Sequence, residues 1–116
     1  MIPVQVKDLM NPSVVTIEPT SSAALAARLL SRHNVGVLPV CGEDRKLRGV
    51  VTDQDPAQTL VREIMTRGCA TVSPQDDCRA ATQLMARQQV RRLPVVEGGK
   101  LVGIVSLADL ARSQRF

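Results

Sequence analysis

Two stretches of the chain have the hydrophobic spacing of amphipathic helices. Apolar residues recur at positions i, i+1, i+4 and i+5 over residues 25–30, and the same spacing runs over residues 80–85. Each stripe follows residues that commonly cap a helix N-terminus, namely Ser21, Ser22, Asp76 and Asp77. The pattern therefore predicts two helices that each bury one apolar face.

Two short apolar runs follow each predicted helix, which is typical of a β-hairpin. "VLPVC" and "LRGVVT" enclose a turn that begins at Gly42, and "LPVVE" and "LVGIVS" enclose the Gly-Gly pair at 98–99. A short strand is also predicted before each helix, at "VVTI" and at "ATVS", each followed closely by a proline. A last helix is predicted to begin near Gln54 in one half of the chain and near Leu107 in the other.

The sequence contains an internal repeat. Shifted by 55 residues, "VKDLMNPSVVTIEP" lies over "VREIMTRGCATVSP", and "LLSRHNVGVLPV" lies over "LMARQQVRRLPV". Beyond the hairpin turn the offset becomes 54, and "GVVTDQD" lies over "GIVSLAD". Self-similarity of this kind marks repeated structural units. We therefore predict an α/β (α+β) fold of two β-α-β-β-α repeats, residues 1–58 and 59–116, packed as a pseudo-twofold pair.

Composition limits the class of protein. Of the 116 residues, 44% are apolar and only 1% are aromatic, so the core must be aliphatic. No apolar run approaches the ~18 residues of a membrane span. The N-terminal "MIPVQVKDLM" lacks the pattern of a signal peptide, and we expect a cytoplasmic protein. The net charge of +4 favours an anionic partner, whereas the lack of aromatic residues to stack bases disfavours nucleic acid.

Residues that commonly carry catalysis or bind metals do not form a recognisable set. The three cysteines form no C-x-x-C pair, and His33 is the single histidine, so no zinc quartet is expected. The sequence has no Ser-His-Asp set and no phosphate-binding loop. We therefore expect no catalytic residues, no metal site and no catalytic cofactor, and we predict that the protein is not an enzyme.

Four short motifs occur once in each repeat, and together they resemble a known family. They are V-x-[DE]-[IL]-M, [IV]-x-P, L-P-V and G-h-V-[TS]-x-x-D, where h is a hydrophobic residue. This pattern resembles the cystathionine-β-synthase-type (CBS) domain, and two in tandem resemble a CBS pair, or Bateman module. The resemblance covers nearly the whole chain. Within the family, the chain looks most like small stand-alone bacterial CBS-pair proteins.

The resemblance implies a regulatory protein. Family members bind adenosine-containing ligands such as AMP, ADP, ATP or S-adenosylmethionine in two related clefts between the repeats. They do no chemistry on the ligand, and occupancy regulates a partner protein. CBS pairs also commonly form a homodimer. We therefore expect an adenosyl ligand, a homodimer and a regulated protein partner.

The T/S-x-x-D ending of each repeat is the first candidate ligand site. It supplies Thr52 and Asp55 in the first repeat, and Ser106 and Asp109 in the second. An ionised aspartate has only acceptor oxygens, which suits the two O–H donors of a ribose, and the hydroxyl suits a phosphate beside a helix N-terminus. The alternative is helix capping, because serine, threonine and aspartate are preferred caps.

Arg91 and Arg92, directly before "LPVV", are the second candidate. The resemblance implies that basic residues at this place contact phosphates, and the planar guanidinium fork suits phosphate geometry. The alternative is a solvated arginine pair. The first repeat has Gly36-Val37 there. Pro56 directly follows Asp55 and only five residues separate Asp55 from Val61, so either part of the first cleft's wall is missing or comes from a neighbouring chain, or the short segment tightens the pair. We therefore expect two unequal clefts, of which the second is the better nucleotide site.

Two functions stay open at this point. The first is a non-catalytic sensor that binds an adenosine-containing ligand and signals to a partner protein. The second is a CBS-pair interaction or dimerisation protein with no nucleotide bound. Two features favour it, namely the short segment after Asp55 and the neutral Gly36-Val37 pair.

Overall fold

The computed structural model describes residues 4–52 and 60–112. Within these ranges five helices and four strands follow one another along the chain. In order they are α1 (Val6–Leu9), α2 (Ala23–Arg32), β1 (Val37–Cys41), β2 (Leu47–Thr52), α3 (Val61–Ile64), α4 (Cys78–Gln88), β3 (Arg92–Glu97), β4 (Lys100–Ser106) and α5 (Leu107–Ala111). None of the described helices is long and apolar enough to cross a membrane.

The chain folds as two compact units, each built on one antiparallel hairpin. The first-hairpin unit comprises Val15–Cys69 and contains β1 and β2. The second-hairpin unit comprises Met1–Val14 with Ala70–Phe116 and contains β3 and β4. The first residues of each sequence repeat therefore pack with the hairpin of the other repeat. The repeat boundaries 1–58 and 59–116 remain a prediction about sequence units, which differ from these packing units.

In the first-hairpin unit, single bridge residues extend the hairpin on both sides. Ile17 pairs in parallel with Val40 of β1, and Thr66 pairs antiparallel with Val50 of β2. The Thr66–Val50 bridge has two backbone hydrogen bonds, of 3.0 and 2.8 Å. The aliphatic core beneath this sheet contains Ile17, Ala26, Leu30, Leu38, Val40, Val51 and Val61.

The second-hairpin unit repeats this arrangement. Val72 pairs in parallel with Val95 of β3, and Asn11 pairs antiparallel with Ile104 of β4. The core again consists of aliphatic side chains and a thiol, namely Val6, Val72, Cys78, Ala81, Met85, Leu93, Val95, Val105 and Leu110. Both cores contain no aromatic residue among their members, as the composition requires.

The two long helices begin where the sequence predicted. Ser22 caps α2 by accepting a hydrogen bond from the N–H of Leu25, at 3.1 Å. Asp77 caps α4 by accepting one from the N–H of Arg79, at 2.9 Å. The hairpins and the start of the last helix at Leu107 also match the prediction. The start predicted near Gln54 lies outside the described residues.

The strands predicted at "VVTI" and "ATVS" are shorter than expected. Each is a single bridge residue, Ile17 or Val72. The N–H of Ile17 donates to the carbonyl of Pro39, and its own carbonyl accepts from Cys41. Pairing cannot continue through Pro19 because proline has no N–H. Pro74 sets the same limit after Val72.

Candidate functional site

The end of the β3–β4 hairpin brings together the basic pair and the hydroxyl-acid motif of the second repeat. Arg92 is the cross-strand partner of Ser106, so their side chains lie on the same face of the hairpin. The N–H of Leu107 donates to the carbonyl of Arg91, at 2.8 Å. We call this group, comprising Arg91, Arg92, Ser106 and Asp109, the strand-end cluster.

Ser106 and Asp109 form a reciprocal capping box at the start of α5. The N–H of Asp109 donates to Ser106 Oγ at 3.0 Å, and the N–H of Ser106 donates to Asp109 Oδ2 at 3.1 Å. The capping role considered from the sequence is therefore present. It leaves further acceptor capacity, because an ionised carboxylate offers about four lone-pair sites.

Asp109 also forms an ion pair that the sequence interpretation missed. Arg112 Nη2 donates to Asp109 Oδ1 at 2.8 Å, and 28% of the Asp109 side chain is exposed. Each oxygen of Asp109 therefore has one partner among the residues that the structure describes. The i, i+3 spacing of an acid and an arginine on a predicted helix is a signal that could have found this pair.

Arg91 and Arg92 are exposed. Neither guanidinium forms a hydrogen bond or an ion pair with a residue that the structure describes. Two cationic forks with five N–H donors each are thus free of described partners beside the hydroxyl and carboxylate of the same hairpin end. Such an arrangement suits an anion such as a phosphate.

The corresponding end of the β1–β2 hairpin has a different character. Thr52 is exposed and is paired with Val37, while Gly36 is exposed with no atom within 4 Å of where a Cβ would lie. Asp55 and Pro56 lie outside the described residues. The structure therefore brings together four of the six predicted site residues, places Thr52 on the other hairpin, and does not describe Asp55.

Three polar residues outside the strand-end cluster lie at helix ends. The carboxylates of Asp8 and Glu63 accept hydrogen bonds from the N–H groups of Gln5 and Leu60, at 3.0 and 3.3 Å, at the starts of α1 and α3. His33 is the exposed C-cap residue of α2. Within the described ranges no three histidine, cysteine or acidic residues gather as a metal site would require.

The three cysteines are free thiols that lie wholly or partly inside the units. Cys41 and Cys78 are buried and Cys69 is half-buried. Burial raises the pKa of all three thiols above the ordinary value. A raised thiol pKa keeps the group protonated near neutral pH and makes it a weak nucleophile. The cysteines therefore act as small apolar side chains.

Replacing Ser106 with alanine is expected to lower the free energy of unfolding by about 1 kcal/mol. The reason is the loss of the side-chain oxygen that accepts from the N–H of Asp109. Chemical denaturation without ligand measures the effect. Ser106→Thr is the matched control, because threonine keeps the capping oxygen and already stands at the equivalent position 52. Equal stability of the alanine variant and the parent would contradict the capping role.

The fold defines an α/β protein of two tandem repeats, and comparison with known proteins gives the family. The sequence model of the CBS domain matches residues 6–58 and again residues 61–115. The chain therefore belongs to the CBS domain family and contains two of its domains in tandem.

Similar proteins include a bacterial relative and two solved structures. The CBS domain-containing protein YhcV of Bacillus subtilis (strain 168) is 42% identical over 119 residues, which cover 94% of this chain and 84% of that protein. The crystal structure of CBSX2 in complex with AMP has a TM-score of 0.87 at 29% identity and covers 94% of both chains. The CBS domain pair of protein MJ0100, solved with 5′-methylthioadenosine and S-adenosyl-L-methionine, has a TM-score of 0.84 at 28% identity over 96% of this chain and 95% of that one.

Proposed function

We propose that this protein is a non-catalytic regulatory module that binds an adenosine-containing ligand at the strand-end cluster. The observation that carries the proposal is the convergence of two exposed arginines, a hydroxyl and a carboxylate at one hairpin end. CBSX2 with AMP and the MJ0100 pair with S-adenosyl-L-methionine support the class of ligand.

Each group of the cluster has a role in this proposal. Asp109 accepts hydrogen bonds from the ribose hydroxyls through lone pairs that Ser106 and Arg112 leave unused. Arg91 and Arg92 bind the phosphate by charge-assisted hydrogen bonds. The two positive charges favour AMP, ADP or ATP over the cationic S-adenosylmethionine. Thr52 and Asp55 form a second site that takes a less charged adenosyl ligand.

The ligand acts as a signal in this proposal. The protein carries out no reaction on it and passes occupancy to a partner protein, as a cytoplasmic homodimer. Purified protein incubated with ATP is accordingly expected to leave the nucleotide unchanged when the mixture is separated by anion-exchange chromatography.

The direct test is isothermal titration calorimetry with AMP, ADP, ATP and S-adenosylmethionine, with GMP as a control for the base. We expect saturable heat with at least one adenine nucleotide, tighter than with GMP. A ligand at 100 times its dissociation constant should also stabilise the fold by about 2.7 kcal/mol, which a thermal melt detects. The proposal would be contradicted if all four ligands, at millimolar concentrations, gave no binding heat and no thermal shift.

A second candidate is a CBS-pair interaction or dimerisation protein that binds no nucleotide. The observation that favours it is the capping box. Ser106 and Asp109 already hydrogen-bond to each other's backbone N–H groups, which accounts for both residues without a ligand. In that case the Asp109→Ala variant and the parent have the same oligomeric state by light scattering, and AMP changes neither. A shift of the oligomeric state with AMP in the parent alone would exclude this second candidate.

A further inference from the structure

We infer that Arg112 is a positioning residue for ribose recognition, which acts by fixing the carboxylate of Asp109. This inference rests on the proposed function and extends it to a residue outside the four motifs. Arg112 is part of none of the sequence motifs, and the structure places it in direct contact with the acid that is proposed to bind the ligand.

The contacts of Asp109 hold both of its oxygens. Oδ2 accepts from the N–H of Ser106 at 3.1 Å, and Oδ1 accepts from Arg112 Nη2 at 2.8 Å. The first contact ties the carboxylate to the strand end and the second ties it to the last turn of α5. With one described partner on each oxygen, the carboxylate plane is held before a ligand arrives, and each oxygen keeps a lone pair for a hydroxyl.

The sequence of the first repeat lacks this arrangement. The position equivalent to Arg112 in that repeat is Gln58, because the offset between the repeats is 54 there. The second repeat thus has three arginines, at 91, 92 and 112, where the first has Gly36, Val37 and Gln58. All three differences place positive charge in the second repeat, which carries the proposed nucleotide site.

The ion pair between Arg112 and Asp109 should contribute little to the free energy of unfolding. The Arg112 side chain is 58% exposed, and ion pairs between exposed side chains contribute little to stability. Ordering a side chain at a binding site, in contrast, weakens binding unless the side chain is already fixed. Loss of Arg112 should therefore affect ligand affinity more than it affects stability.

The test compares Arg112→Ala and Arg112→Lys with the parent in calorimetric titrations of AMP and 2′-deoxy-AMP. We expect Arg112→Ala to raise the dissociation constant for AMP about threefold to tenfold. The effect on 2′-deoxy-AMP should be smaller, because that ligand lacks one hydroxyl for Asp109 to accept. Arg112→Lys should restore part of the AMP affinity, since an ammonium group can still pair with the carboxylate. Thermal melts of the free variants should match the parent.

The outcomes separate this inference from the proposed function. Equal weakening of AMP and 2′-deoxy-AMP would overturn it and indicate that Arg112 contacts the phosphate directly. Unchanged affinity of Arg112→Ala for AMP would also overturn it while leaving the proposed function intact. If the parent chain binds neither nucleotide, the proposed function itself fails, and the inference fails with it.

Discussion

Replacing both Arg91 and Arg92 with alanine is expected to weaken AMP binding by about 2–3 kcal/mol, or roughly 30- to 150-fold. Both guanidinium groups are exposed and neither has a partner among the residues that the structure describes. In the proposed site each donates charge-assisted hydrogen bonds to the phosphate. Because the two residues are adjacent and share one phosphate, the single substitutions should not add up to the double one.

The matched control is the double variant Arg28→Ala, Arg32→Ala. It removes the same two positive charges from exposed positions of α2, in the first-hairpin unit. It should leave the affinity for AMP within about twofold, because neither arginine belongs to the strand-end cluster and exposed charges are weakened by screening at physiological salt. The comparison separates a specific phosphate contact from a general loss of positive charge.

The same double variant of Arg91 and Arg92 should bind adenosine about as well as the parent does. Adenosine has no phosphate, so the lost guanidinium groups have nothing to contact. Calorimetric titration of both ligands into parent, double variant and control measures the whole set. Equal AMP affinity in parent and double variant would remove Arg91 and Arg92 from the site.

The sequence could predict the parts of this fold that depend on local patterns. Ser22 and Asp77 marked the starts of α2 and α4, and the two hairpins followed from short apolar runs around turn residues. The family was reached because the same motifs occur in both repeats. These features depend on neighbouring residues, so a single sequence displays them.

The sequence could not show how distant segments pair. Asn11 pairs with Ile104, and Thr66 pairs with Val50, so each repeat contributes its first segment to the hairpin of the other repeat. Both repeats carry nearly the same motifs, and hydrophobic spacing alone does not say which hairpin a segment will join. Asp8, whose carboxylate accepts from the N–H of Gln5, stands in a four-residue helix that is too short to give a periodic signal.

Gly49 illustrates a constraint that only the long-range pairing explains. Gly49 and Gly103 are buried and stand at the same place in the two hairpins. A Cβ at Gly49 would lie 2.5 Å from the backbone oxygen of Thr66. That oxygen accepts the N–H of Val50 in the bridge, so the backbone of Thr66 cannot move away without breaking the pairing.

Gly49→Ala is therefore expected to lower the free energy of unfolding by about 2–3 kcal/mol. Gly103→Ala should cost only about 1 kcal/mol. There the nearest atom to the new Cβ, at 2.7 Å, is the sulfur of Met10, and a flexible methionine side chain can move aside. The backbone oxygen of Asn11, the counterpart of the Thr66 oxygen, lies farther away at 3.1 Å and needs to shift by only a few tenths of an ångström. Urea denaturation of the two variants measures both changes.

Gly36→Ala is the control for the general effect of removing a glycine. No atom lies within 4 Å of a Cβ at this position. The substitution should therefore be neutral, or should stabilise the protein by about 0.4–1 kcal/mol through the lower entropy of the unfolded chain. If Gly49→Ala is no more destabilising than Gly103→Ala, the close approach of Thr66 to β2 does not hold. The rank order Gly49, Gly103, Gly36 thus tests a pairing that joins segments about sixteen residues apart, which no local pattern in either repeat predicts.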